Sequence, residues 1–150
     1  MKIGSNVQIW SGARIEALAH TDGEATITIG NGTIIQPSCH IAAVRSIIIG
    51  DNCLFASSVY VTDHDHYWLD LDLPYSKNNK LLCNPVIIGD NVWLGEGVCV
   101  LKGVRIGNNA IVGTGSVVTR DIPPDTISVG SPARPIKRWS QEEKKWRAAD

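Results

Sequence analysis

Fifteen six-residue units predict an all-β fold, a triangular coil of short stacked strands about five layers high. Three observations carry this reading. An aliphatic residue recurs every six positions, a small or branched residue follows it four positions later, and glycine or Asn/Asp pairs stand where each layer must turn. A period of six excludes an α-helix, whose apolar face returns every three or four residues.

The openers run in sets of three: Ile3, Ile9, Ile15; Ile29, Ile35, Ile41; Ile49, Phe55, Val61; Ile88, Leu94, Val100; and Ile106, Val112, Val118. Their followers are mostly small: Val7, Ala13, Ala19, Thr33, Cys39, Cys53, Val59, Val92, Val98, Val104, Ala110 and Ser116, with Ile122 closing the run and breaks at Arg45 and Asp65. Gly4, Gly30, Gly50, Gly89 and Gly107 directly follow their openers, and Asp51-Asn52 and Asn108-Asn109 come close behind, which suits tight corners. Strands stack about 4.8 Å apart, so five layers make a prism roughly 24 Å tall, too narrow for two large inward residues per unit.

Phase slips by eight residues before Ile29, by two before Ile49 and by twenty-one before Ile88. The last slip predicts a long loop over 67–87, and a long loop thrown from a rigid scaffold is more often functional than not. Ile122-Pro123-Pro124 stops the repeat. Ser140-Gln141-Glu142-Glu143 has the spacing of a capping box and predicts a short C-terminal helix, with Trp139 and Trp146 near its ends, packed over the prism. The expected organisation is one domain, 1–138 forming the coil with its loop and 139–150 the helix.

At 150 residues, net charge -1 and pI about 6.4, the chain shows no basic face for nucleic acid. Its apolar runs are strand-sized, with no transmembrane segment and no secretory leader, so a cytoplasmic protein is expected. Cys39, Cys53, Cys83 and Cys99 lack metal or redox spacing and read as buried thiols.

The stretch Asp63-His64-Asp65-His66 begins the long loop. Imidazole has the intrinsic pKa of a general base near neutrality, and a neighbouring carboxylate can hold its second nitrogen, so Asp63 and Asp65 are candidate orienting groups. A polar loop without a role and a metal clip completed by the distant His40 are the other readings.

The run from Ile88 to Pro124, "IGDNVWLGEGVCVLKGVRIGNNAIVGTGSVVTRDIPP", and "VGSPARPIKR" from Val129 to Arg138 resemble the hexapeptide-repeat acyltransferases. Together with Ile41-Ala42-Ala43 and the His64/His66 stretch, the chain is most similar to the bacterial polysaccharide and O-antigen O-acetyltransferases among them. The resemblance implies a left-handed parallel β-helix, a homotrimer with active sites between subunits, acetyl-CoA as acyl donor, and a sugar or glycan acceptor. It implies a histidine base, which hexad register assigns to His66 with His64 as its rival. Trp93 matches a cleft tryptophan, and Trp68 and Tyr75 are further candidates to stack on the acceptor. Thr114, Thr119, Arg120, Arg134 and Lys137 match positions that contact CoA, and backbone N–H groups around Gly95 are expected to hold the developing oxyanion. Two other functions share such a scaffold: a γ-carbonic-anhydrase-type metal hydratase, and a non-catalytic platform. Acetyl transfer to a non-glycan alcohol or amine is a further alternative.

Overall fold

The computed structural model describes residues 1–18 and 23–149. Three sheets of parallel strands form the walls of a prism. The first face stacks Lys2–Ile3, Thr26–Ile29, Ser46–Ile49, Val86–Ile88 and Arg105–Ile106. On the second are Gln8–Ile9, Ile34–Ile35, Leu54–Phe55, Trp93–Leu94 and Ile111–Val112, and on the third Arg14–Ala17, His40–Ala43, Tyr60–Thr62, Cys99–Val100 and Val117–Val118. Five layers result, as the hexads require. Ala19, one of the predicted inward residues, lies outside the described residues.

Register turns the openers into columns. Ile3, Ile29, Ile49, Ile88 and Ile106 stand one above another on the first face. Ile9, Ile35, Phe55, Leu94 and Val112 do so on the second, and Ile15, Ile41, Val61, Val100 and Val118 on the third. From the second layer upward every member is buried, each burial contributing about 1.5–3 kcal/mol. In the lowest layer Ile3 and Ile9 remain 50% and 44% exposed, because no described residue stacks beneath them.

The corner between the first two faces is held by a ladder of side chains. Asn31 Oδ1 accepts the Ser5 N–H (2.8 Å), Asp51 Oδ1 that of Asn31 (2.6 Å), Asp90 Oδ1 that of Asp51 (2.8 Å), and Asn108 Oδ1 that of Asp90 (2.9 Å). Backbones pass so closely here that a Cβ on Gly50 would stand 2.6 Å from the Gly89 carbonyl oxygen, which is why glycine follows each opener of the first face.

Two sequence expectations need correction. The insertion is not a loop over 67–87. Its stem is a hairpin in which His64–His66 pairs antiparallel with Leu81–Cys83, and the chain is back in the prism by Val86, which is fully buried and pairs with Ile47. Aliphatic Val86-Ile87-Ile88 gains more as a wall strand than as loop.

The C-terminal segment is not a helix. Ala133–Ser140 runs antiparallel to Thr126–Gly130, which itself extends the second face, and Lys145–Ala148 pairs antiparallel with Ala133–Ser140. The bond expected of the capping box does form, from the Glu143 N–H to Ser140 Oγ at 3.2 Å, but it closes a turn that ends at Lys144 with φ 52°. So short a segment makes a marginal helix alone, whereas the hairpin completes its backbone bonds on an existing sheet and pairs Trp139 with Trp146 edge to face at 5.4 Å. Among the described residues no helix is long and apolar enough to cross a membrane.

Candidate active site

The third-layer strand Tyr60–Thr62 delivers Asp63 to the corner between the third and first faces. Asp63 is fully buried, and its carboxylate accepts the backbone N–H groups of Val44 (2.8 Å), Arg45 (2.7 Å) and Ser46 (2.6 Å), at the corner where the second layer passes into the third. This explains the two-residue slip before Ile49: the Val44-Arg45 corner is widened to present its amides to that carboxylate. Asp63 Oδ1 also lies 3.0 Å from His64 Nδ1, and Thr62 Oγ1 lies 3.1 Å from the same nitrogen. An ionised carboxylate only accepts, so Nδ1 carries the proton and Nε2 is left as the basic nitrogen.

Alternation along His64–His66 sends both histidines to one side and Asp65 to the other. The His64 side chain is 17% exposed, while His66, opposite Leu81, is exposed. Asp65 therefore does not orient a histidine as expected; it pairs with Lys102 at the corner one layer up. Lys102, Thr62 and the amides of 44–46 are members of this site that motif reading missed, since only layer stacking brings them together. Beyond the stem, the arm exposes Trp68, Leu69, Leu71, Leu73 and Tyr75.

The residues expected to meet CoA divide between two corners. Thr119 and Arg120 follow Val117–Val118, on the corner that carries His64 and His66, two layers higher. Gly95 and Thr114 sit together at the corner between the second and third faces, and Arg134 is nearby, paired with Val129, which overhangs Gly113. Lys137 is exposed on the added strand. Gly95 does not offer its own N–H to an oxyanion, because that N–H already donates to the Val112 carbonyl at 2.8 Å. Its glycine identity has a packing reason: a Cβ would stand 2.6 Å from the Thr114 nitrogen.

Trp93 projects from the outer second face, 48% exposed, into a cleft of about 370 Å³ that it shares with Trp139 and Trp146 of the hairpin. His40 is engaged elsewhere, with Nε2 3.2 Å from Glu16 and its ring tilted against Tyr60 at 5.4 Å. Arg14 and His40 together hold the Glu16 carboxyl below its ordinary range, Arg14 through the stronger bond. Among the described residues no three His, Cys, Asp or Glu side chains converge as metal ligands. Burial pushes the thiols of Cys39 and Cys53 up, which keeps them protonated and poor nucleophiles.

Comparison with known proteins fits this geometry. Residues 85–120 match the family model described as bacterial transferase hexapeptide (six repeats). An Escherichia coli K12 protein provisionally named lipopolysaccharide biosynthesis O-acetyl transferase WbbJ is 37% identical over 155 residues, spanning 99% of this chain and 77% of its own. The crystal structure of a maltose O-acetyltransferase from Clostridium difficile 630 superposes with TM-score 0.80 at 35% identity, over 93% of this chain and 70% of that one. A hexapeptide-repeat acetyltransferase from Vibrio cholerae, solved with acetyl coenzyme A, superposes with TM-score 0.74 at 30% identity, over 90% and 69%. This chain spans 58% to 77% of the length of the first curated relatives it matches. The coil is a left-handed β-helix, like those of its structural neighbours.

Proposed function

Because the chain belongs to the hexapeptide-repeat transferases and is an acetyltransferase that draws on acetyl-CoA, we propose that it O-acetylates a sugar hydroxyl of a polysaccharide, O-antigen or related glycan precursor. The observation that carries the reading is the His64–His66 strand, anchored through buried Asp63 and leaving an exposed imidazole where the aromatic arm departs. His66 is the proposed base. An acceptor and a thioester both arrive from outside the prism, and His66 is the histidine open to them. It takes the hydroxyl proton as the acceptor oxygen attacks the thioester carbonyl, and returns that proton to the departing thiolate. Attack is proposed as direct, without an acyl-enzyme; the Cys39 and Cys53 thiols belong to the buried core and are held protonated.

One specific observation favours a second reading, with His64 as base: its Nδ1 is fixed by Asp63 and its Nε2 left basic. Thr114, Thr119, Arg120, Arg134 and Lys137 are proposed donor contacts, the cations serving the phosphates. They divide between two corners of one prism, and a second prism laid alongside would join those corners into one groove. That supports a homotrimer with sites between subunits. Acetyl-CoA is a cytoplasmic metabolite, which supports a cytoplasmic location.

The test is thiol release from acetyl-CoA against a panel of mono- and oligosaccharides, alcohols and amines. Release that depends on a saccharide is the expected result. Release only with amines or simple alcohols would move the acceptor elsewhere, and none with any acceptor would leave the scaffold reading.

A further inference from the structure

We propose that the three-tryptophan cleft on the second face is a saccharide subsite that holds a non-reacting sugar unit of an extended acceptor. The proposal rests on the glycan reading above and goes beyond it, because Trp139 and Trp146 belong to the hairpin rather than to the hexads.

The cleft has three parts. Trp93 forms its floor on the prism. Trp139 and Trp146, edge to face at 5.4 Å, form its wall, and that wall is fastened to the prism by the Trp139 N–H donating to the Asp125 carbonyl at 2.9 Å. Its rim is a second ladder, in which Asn91 Nδ2 donates to Asn109 Oδ1 (2.9 Å) and Asn109 Nδ2 donates to Asp125 Oδ1 (2.8 Å). Each amide in this ladder uses one N–H, so a second N–H on each, Asn91 Oδ1 and Asp125 Oδ2 can still serve a ligand, with the Gln141 N–H groups across the opening, its Oε1 accepting from Lys144 Nζ at 3.2 Å.

Aromatic faces beside neutral amides and one carboxylate match the chemistry of a pyranose, which offers C–H faces to rings and hydroxyls to amides. At about 370 Å³ the cleft lies within the ordinary range for small ligands, about 300–1,000 Å³. Charge argues against the phosphates of CoA. No Lys or Arg lines the cleft, whose only ionic group is Asp125. Lys144 brings a cation to the rim, its Nζ donating to Gln141 Oε1 at 3.2 Å; Arg138 and Arg147 line a separate depression, and Arg147 is paired with Glu143.

The experiment titrates glucose, maltose and maltotriose, and the matching galactosides, into His66→Ala protein without CoA, following heat and tryptophan fluorescence. Binding that strengthens from mono- to trisaccharide is expected, and Trp146→Ala or Gln141→Ala should weaken the trisaccharide about fivefold or more. Trp146→Phe, which keeps a ring in the hairpin, should restore part of the loss, and circular dichroism checks that each variant folds. Unchanged trisaccharide binding in the folded variants would overturn the subsite, as would a raised KM for acetyl-CoA in its place. Saccharide binding through the cleft without thiol release from acetyl-CoA would refute the proposed activity and leave the subsite standing. Saccharide-dependent release indifferent to Trp146 and Gln141 would do the reverse.

Discussion

Asp63→Asn isolates the anchor of the histidine strand. The native carboxylate is fully buried: Oδ1 accepts from Val44 N–H and His64 Nδ1, and Oδ2 from Arg45 and Ser46 N–H. An amide in the same pose keeps one accepting oxygen and turns the other position into a donor facing donors. If the oxygen stays toward Val44 and His64, Arg45 and Ser46 lose their acceptor; the flipped amide instead abandons Val44 and His64. Either way two donors go unsatisfied. At about 1–3 kcal/mol for each buried donor without a partner, the loss is about 2–6 kcal/mol, a large part of the about 5–15 kcal/mol that holds an ordinary domain. Urea unfolding of both proteins under one buffer, followed by fluorescence and circular dichroism, measures it. A midpoint shift equivalent to less than about 1 kcal/mol would refute the reasoning, because the corner would then be holding itself without the carboxylate.

Two further perturbations follow from buried groups. Ser128 Oγ is buried with no hydrogen-bond partner among the described residues, so Ser128→Ala should leave stability unchanged or raise it by about 1 kcal/mol in the same urea assay; a clear loss would mean that the hydroxyl has a partner. Burial raises the Cys39 and Cys53 thiols above the ordinary 9.0, so the unfolded chain loses those protons first. The stability they contribute is fully present below pH 9 and declines as pH rises past it, which urea midpoints from neutral pH to above pH 9 should trace, with a shallower decline in a Cys39→Ala, Cys53→Ala variant.

The coil was legible in the sequence because a narrow three-walled interior repeats the same demand every six residues: a branched aliphatic at Ile29, Ile35 and Ile41, something small four positions on, and glycine where corners touch. What escaped was information that depends on partners far along the chain. Whether Asp63 or Asp65 meets a histidine turns on strand alternation and on Lys102, thirty-seven residues from Asp65. Gly95 looked available as a donor until layer stacking assigned its N–H to Val112. At the C-terminus, Ser140 and Glu143 bond as they would at the start of a helix, and that local signal is shared by a tight turn. The deciding cue was present but of another period: Arg138-Trp139-Ser140 and Lys145-Trp146-Arg147 mirror each other across a four-residue turn, as hairpin partners do.

The division of labour between the two histidines bears most directly on how this prism performs acetyl transfer. Turnover of wild type, His66→Ala and His64→Ala should be followed by thiol release under saturating acetyl-CoA and the best saccharide of the panel, with urea midpoints recorded alongside. The account predicts that His66→Ala falls by about 10²–10⁴-fold at unchanged stability, while His64→Ala keeps a larger share of turnover and unfolds more easily. Full activity in His66→Ala, with the loss confined to His64→Ala, would contradict it and transfer the base to the ring that Asp63 holds.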